Sequence, residues 1–308
     1  MAESLLDPEV LSRLQGLRLL PRFAERNAVT GSNVTSMSRG ASTEFVDFKM
    51  YTPGDDPRRI DWKIYGRKDR YFLRSYEGET NCTMLIAVDA SRSMRFKGPG
   101  AVIDKWTWAA KGALGLIYLA LANRDACGLA LFARGLIGVH SPKASWATLA
   151  SCVHQMEAFA DFGARTDFPK SLSGLAEITR KRSLIIVISD FLGDDPGNMA
   201  AAFEALSSAG HEVAALRVLD PIEEDLTRAP AGTLVIEPAE EDNNSAPRLN
   251  MAEIAADYRQ RWQQEERLFK SRLFERWIDY QVFRTNENIG ESIARYLHSR
   301  SFRGADIS

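Results

Sequence analysis

Two short apolar runs, each closed by an aspartate, constrain the fold of this chain more than any other feature. Residues 83–89 read Thr-Met-Leu-Ile-Ala-Val-Asp, and residues 183–190 read Ser-Leu-Ile-Ile-Val-Ile-Ser-Asp. Runs this short, continuous and rich in Leu, Ile and Val are expected to be strands buried on both faces. Helical patterns separate and follow them, at residues 102–123, 145–159, 170–181 and 197–209, the last stopped by Gly210. Strands alternating with helices predict a doubly wound α/β fold, a mainly parallel sheet with helices on both faces. Further strands are expected at 126–133 and 136–139, paired across Arg134-Gly135, and at 212–219, 233–237 and 278–285.

The ends of the chain complete this plan. Residues 5–20 carry apolar side chains at Leu6, Val10, Leu14 and Leu17, a helical face, and residues 44–51 alternate like a strand. Residues 24–42 are small and polar and read as loop. A long helix at 251–277 places Ile254, Tyr258, Trp262, Phe269, Leu273 and Trp277 near helical spacing, which is expected to be core packing. A closing helix is expected at 289–300. We divide the chain into an N-terminal extension, residues 1–78, and an α/β domain, residues 79–308, that includes the C-terminal helices.

Asp89 is followed by Ser91 and Ser93, so Asp-x-Ser-x-Ser gathers one carboxylate and two hydroxyls on a loop at a strand's carboxyl end. Ligand crevices of open α/β sheets lie at that edge. Hard oxygen donors suit Mg²⁺ better than a soft metal. Asp190 ends the second run, and parallel neighbours bring their carboxyl ends together. Thr166 and Asp167 sit in a Gly- and Pro-punctuated loop, residues 161–169, that could reach the same edge. The competing reading is that Asp and Ser serve here only as turn formers and helix caps. Asp167 in particular is placed to cap the helix that follows.

These residues resemble a known arrangement. Asp89-x-Ser91-x-Ser93, Thr166 in a Thr-Asp loop and Asp190 after Ile-Ile-Val-Ile-Ser are similar to the metal-ion-dependent adhesion site of von Willebrand factor A domains. Upstream, Tyr51-Thr-Pro53-Gly54-Asp55-Asp56-Pro-Arg58-Arg59-Ile60-Asp61-Trp62 resembles the signature of the bacterial domain-of-unknown-function-58 proteins, which carry such a domain. The likeness runs from about residue 31 to residue 300. It departs at Tyr65-Gly66-Arg67, where the family has a small residue, Ala and Arg. It departs again at Lys49, where an Arg is usual and bidentate geometry is lost.

The resemblance implies a division of roles. Ser91 and Ser93 would ligate Mg²⁺ directly, with Mn²⁺ or Ca²⁺ as alternatives, and Thr166 directly or through water. Asp89 and Asp190 would accept hydrogen bonds from those hydroxyls or from metal-bound water. Neutral direct ligands leave the ion enough charge to take a carboxylate from a partner. The family likeness further implies a MoxR-type AAA+ ATPase as partner, with this chain as its adaptor toward a client protein presenting an acidic residue. For Asp55, Asp56, Arg58, Asp61 and Trp62 two readings stand. They act as a docking surface or an internal acidic arm that reaches the metal, or else they form a Pro-Gly-Asp turn and buried ion pair that hold the N-terminal segment in place.

Other function classes find little support. A net charge of −2 offers no bulk basic field for nucleic acid, and between residues 47 and 77 eight basic residues face six acidic ones. No apolar run approaches the ~18 residues of a membrane span. The first residues lack the basic and apolar regions of a signal peptide, so a cytoplasmic location is expected. Cys82, Cys127 and Cys152 form no metal-binding spacing and are expected to be buried free thiols. None of the four histidines pairs at ligand spacing, no phosphate-binding loop exists, and Ser91 lacks a nucleophile elbow. The expectation is therefore a binding protein and not an enzyme. The alternatives are a Mg²⁺-dependent hydrolase using Asp89, Asp190 and Asp167, and a metal-free scaffold. Residues 238–247 read as a solvated acidic loop.

Overall fold

The computed structural model describes residues 4–19, 21, 45–50, 65–66, 70–76, 82–162, 165–179, 182–193, 195–228, 233–235 and 248–305. The chain divides into two compact units, Arg22–Asn81 and the combination of Met1–Pro21 with Cys82–Ser308. Helix α1 (Pro8–Leu14) opens the larger unit, with Asp7 capping its first turn through Glu9 N. In the smaller unit β1 (Phe45–Met50) pairs antiparallel with β2 (Phe72–Tyr76), and the rings of Tyr65 and Tyr71 stack at 4.7 Å.

The larger unit then alternates strand and helix. It runs through β3 (Thr83–Asp89), α2 (Lys105–Ala122), β4 (Ala126–Phe132), β5 (Leu136–Lys143), α3 (Trp146–Ala158) and α4 (Phe168–Ile178). It continues through β6 (Leu184–Ser189), α5 (Pro196–Ser208), β7 (Glu212–Leu219) and the one-turn α6 (Pro221–Glu224). A small antiparallel pair follows, β8 (Thr233–Val235) with β9 (Arg248–Asn250). The last elements are α7 (Met251–Glu275), β10 (Asp279–Arg284) and α8 (Ile289–Ala305).

Six strands form one sheet in the order β10-β7-β6-β3-β4-β5, parallel throughout except for β5, which runs antiparallel to β4. This is the doubly wound α/β architecture expected from the sequence. The central strands β3 and β6 are buried along nearly their whole length, as continuous apolar runs require. Edge strand β5 instead alternates half-buried and exposed positions, the pattern of a strand with one solvated face. Alternation sends Leu85, Ala87, Ile185 and Val187 to one face, where they pack with Phe168, Leu172 and Leu175 of α4 and Phe203 of α5. Phe269 and Leu273 of α7 join the same core. The opposite face is covered by α2, whose Trp108 stacks on Phe283 of β10 at 4.9 Å.

Two sequence expectations are corrected. The first helix does not belong with residues 22–78: it packs on α2 and α8 of the larger unit. The reason is local. Gly115 of α2 leaves room for Val10 and Leu14, and a Cβ there would lie 2.9 Å from Val10 Cγ1 and 3.0 Å from Leu14 Cδ1. Lys111, also on α2, pairs with Asp7 at 3.0 Å. Trp277, expected on the core face of the long helix, is 63% exposed. The helix ends at Glu275 and Trp277 adopts φ 58, which turns the chain into β10 and takes the indole off the apolar stripe. The side chain of Ile254 lies outside the described residues, whereas Phe269 and Leu273 are buried as expected. All three cysteines are buried, with no disulfide among the described residues, and burial pushes the Cys152 thiol up to about 12.

Candidate functional site

The parallel register Val88↔Ile188 makes β3 and β6 immediate neighbours, so Asp89 and Asp190 emerge side by side at the carboxyl edge of the sheet. Ser91 and Ser93 lie on the short 3-10 turn that follows β3, and Ala90 N donates to Phe132 O at 2.8 Å to set its start. Thr166 arrives from the loop before α4. That loop is tied to the end of β4, because Asp167 N donates to Ala133 O at 2.9 Å. The Asp167 carboxylate is occupied as the N-cap of α4, accepting from Lys170 N at 2.9 Å. All five residues singled out for metal chemistry, Asp89, Ser91, Ser93, Thr166 and Asp190, are buried and come together.

Their contacts are specific. Asp89 accepts from Ser91 N at 2.9 Å and from the Thr166 hydroxyl at 2.9 and 3.0 Å. It also accepts from the Ser189 hydroxyl at 2.5 Å. The hydroxyls of Ser91 and Ser93 meet at 3.1 Å. Asp190 accepts from Leu192 N at 3.1 Å and from the Lys105 ammonium at 2.7 Å. The same ammonium donates to Glu223 at 2.6 Å. Phe191 fixes the backbone next to Asp190. It takes a left-handed conformation, φ 52, and its ring packs against Phe168, Phe203 and Phe269 at 5.6–5.7 Å. Arg217 of β7 completes the frame by donating through Nε to Asp190 O at 2.9 Å.

The charges follow from these contacts. Burial, and then the negative charge of Asp190, push Asp89 up to about 6, against the pull of the hydrogen bonds from Ser189 and Ser91. Burial pushes Asp190 the same way, but the Lys105 ammonium overcomes it and holds that carboxyl below the usual range. Burial disfavours a charged Lys105, yet Asp190 and Glu223 hold its ammonium above the ordinary lysine value.

The donors suit a small hard cation. Three hydroxyls and two carboxylates converge, all oxygen, and among the described residues Asp89 has hydrogen bonds but no salt-bridge partner. Also among the described residues, no group of three or more His, Cys, Asp or Glu side chains is arranged to hold a metal. A cation at this edge therefore depends on Ser91, Ser93 and Thr166 beside the two aspartates, with water completing its shell. The histidines stand apart. His211 precedes β7 at the opposite edge, with Nδ1 buried and unpartnered, and His140, His154 and His298 lie on β5, α3 and α8.

The second set singled out from sequence, Asp55, Asp56, Arg58, Asp61 and Trp62, lies outside the described residues. Sequence reasoning missed Lys105, Ser189 and Glu223. Ser189 stood in plain view one residue before Asp190. Lys105 reads only as the start of a helix capped by Asp104, and nothing local marks its partners.

A model of the family described as "Protein of unknown function DUF58" matches residues 47–268. The chain belongs to the DUF58 family. Among curated relatives, this DUF58 chain is similar to the uncharacterized proteins Rv1480 of Mycobacterium tuberculosis and Mb1516 of Mycobacterium bovis. Each is 28% identical over 237 residues, 76% of this chain and 72% of the relative. Among solved structures it is similar to the conserved hypothetical protein BatB from Bacteroides thetaiotaomicron, at 16% identity and a TM-score of 0.42, covering 71% of this chain and 98% of that one. It is also similar to an aerotolerance-related membrane protein from Bacteroides fragilis, at 20% identity and a TM-score of 0.41, covering 71% and 99%. In this DUF58 chain, no helix among the described residues is long and apolar enough to cross a membrane.

Proposed function

We propose that this chain is a non-catalytic, metal-dependent interaction module. In this reading Ser91, Ser93 and Thr166 hold a divalent cation, Mg²⁺ before Mn²⁺ or Ca²⁺, while Asp89 and Asp190 orient the hydroxyls and bound water. The cation supplies an open coordination position for a carboxylate of a partner protein. The observation that carries the reading is the convergence of five oxygen-bearing side chains from three loops at the carboxyl edge of β3 and β6. The partner in this proposal is a MoxR-type AAA+ ATPase and the recognised group an acidic residue of a client, both taken from the motif resemblance described in the sequence. A cytoplasmic location is part of the same proposal.

Binding is favoured over catalysis because, among the described residues, Asp89 is the one site carboxylate outside an ion pair or a helix cap, and it is already taken up in orienting Thr166, Ser189 and Ser91. Asp167 is spent on capping α4, and no histidine reaches the cluster. A metal-free scaffold is the second reading, and one observation favours it: Lys105 already neutralises Asp190 without any metal.

Calorimetry with MgCl₂ on the wild type and on Asp89→Ala, repeated with the purified ATPase, separates these readings. Binding by the wild type alone, with ATPase association that requires the metal, supports the adaptor. Association that persists in EDTA and in Asp89→Ala supports the scaffold. Phosphate-ester turnover lost in Asp89→Ala would instead establish a hydrolase.

A further inference from the structure

Lys105 is the first residue of α2, and its side chain is wholly buried at the candidate site. Its ammonium lies 2.7 Å from Asp190 Oδ2 and 2.6 Å from Glu223 Oε1. The Phe96 ring centroid stands 5.6 Å from the same nitrogen. The two carboxylates hold it for different reasons. Asp190 belongs to the oxygen cluster and faces Ser93 as well. Glu223 does not belong to it: it is the third residue of the one-turn α6. Its Oε2 accepts from Asp220 N at 2.8 Å in a capping box, and its backbone oxygen accepts from Tyr258 at 2.8 Å. Glu223 is thus a fixed seat for an ammonium, built by secondary structure that owes nothing to the site.

This arrangement sets up a competition. A divalent cation on Ser91, Ser93 and Thr166 needs the charge of Asp190, and that charge is already matched by Lys105. Two cations cannot share one buried carboxylate cheaply, because like charges repel strongly where water is excluded. Lys105 has a second anion within hydrogen-bond distance and can give up Asp190 without leaving its pocket. We propose that Lys105 and Glu223 form an internal counter-cation gate: Lys105 holds Asp190 while the site lacks a divalent cation, and Glu223 retains the ammonium when Asp190 is given up. The gate rests on the metal-binding reading above and adds its regulation. It couples cation uptake at β3 and β6 to α6, which leaves β7.

The gate requires two substitutions in one contact to act in opposite directions. Lys105→Met keeps the unbranched shape of the side chain, one atom shorter, and removes its charge, so cation affinity rises by about tenfold or more. Glu223→Gln removes the seat and leaves the ammonium on Asp190, so affinity falls by about tenfold. The experiment is calorimetry of MgCl₂ and MnCl₂ binding at about pH 8, where ordinary carboxylates are ionised. It uses the full chain as wild type, Lys105→Met, Glu223→Gln and the double variant, with circular dichroism to establish folding. Where Lys105→Met alone does not fold, the double variant carries the test, since it removes both members of the ion pair and must still bind more tightly than wild type. Opposite shifts support the gate. Equal affinities of wild type and the Lys105 variants overturn it and leave the metal reading standing. Binding by the Lys105 variants alone overturns the gate, because Lys105 then blocks the site without ever yielding Asp190, and it overturns metal-dependent function in the wild type as well. Absence of binding in every variant overturns both.

Discussion

Asp89 and Asp190 end neighbouring strands and are equally buried, yet they are held in opposite ways. Asp89 is surrounded by neutral donors, the hydroxyls of Thr166 and Ser189 and the backbone N–H of Ser91. Asp190 faces a full positive charge on Lys105. Hydrogen bonds from neutral groups fail to offset burial, so Asp89 titrates high. An ammonium at contact distance does offset it, so Asp190 titrates low. The difference teaches where the site has room for another positive charge. It is on the hydroxyl side, beside Asp89, whereas the charge of Asp190 becomes available only when Lys105 turns to Glu223.

The largest effect should come from breaking the ammonium side. Lys105→Met leaves Asp190 and Glu223 buried without their shared partner and is expected to cost about 3–5 kcal/mol of stability in urea denaturation. A loss under about 1 kcal/mol would show that water or a bound ion screens the pair.

The hydroxyl side is tested by pH. Asp89 has a folded-state value of about 6, above its ordinary value near 3.9, so the native state holds a proton that the unfolded chain has released. Its contribution to stability therefore falls as pH rises from about 4 to about 6, by ~2–3 kcal/mol in all. Asp89→Asn is expected to flatten that slope. Asp190 has the opposite sign: its depressed value contributes stability above about pH 4 that is lost as the pH falls through its folded value. An unchanged slope in Asp89→Asn would mean that Asp89 is not the group that titrates.

A smaller effect sharpens the comparison. Thr166→Val removes a hydroxyl that donates to Asp89 while keeping its shape, and about 1–2 kcal/mol of stability should go with it. The same variant should weaken Mg²⁺ binding in calorimetry, an effect that loss of a purely structural hydrogen bond does not require. The smallest effect is the surface contrast. Arg276 pairs with Glu204 in the open, with side chains 56% and 40% exposed. Arg276→Ala is expected to shift the denaturation midpoint by no more than about 0.5 kcal/mol. A larger shift would show that partial exposure does not weaken ion pairs in this fold.

Much of the frame was legible before the fold was known. Residues 212–219 read as a strand and form β7 with the same bounds, and Gly210 stops the preceding helix with φ 93. Asp167 was expected to cap a helix and caps α4. Such features are local: a continuous apolar run, a cap and a stop glycine act within a few residues. The two errors arose at helix ends and contacts. Trp277 continued a periodicity that the backbone abandons, and α1 carried an apolar face that names no partner.

The sequence by itself determined the alternation of strands and helices, the position of two aspartates at strand ends, and the oxygen donors Ser91, Ser93 and Thr166 nearby. Each follows from short-range pattern or from the rule that parallel neighbours share an edge. Only the tertiary structure decided how the two aspartates are balanced. Lys105 meets Asp190 across 85 residues of chain and Glu223 across 118. They meet because β7, β6 and β3 are adjacent in the sheet and α2 begins beside their ends. Charge pairing over such separations leaves no periodic trace along the chain, because it depends on strand order and not on spacing.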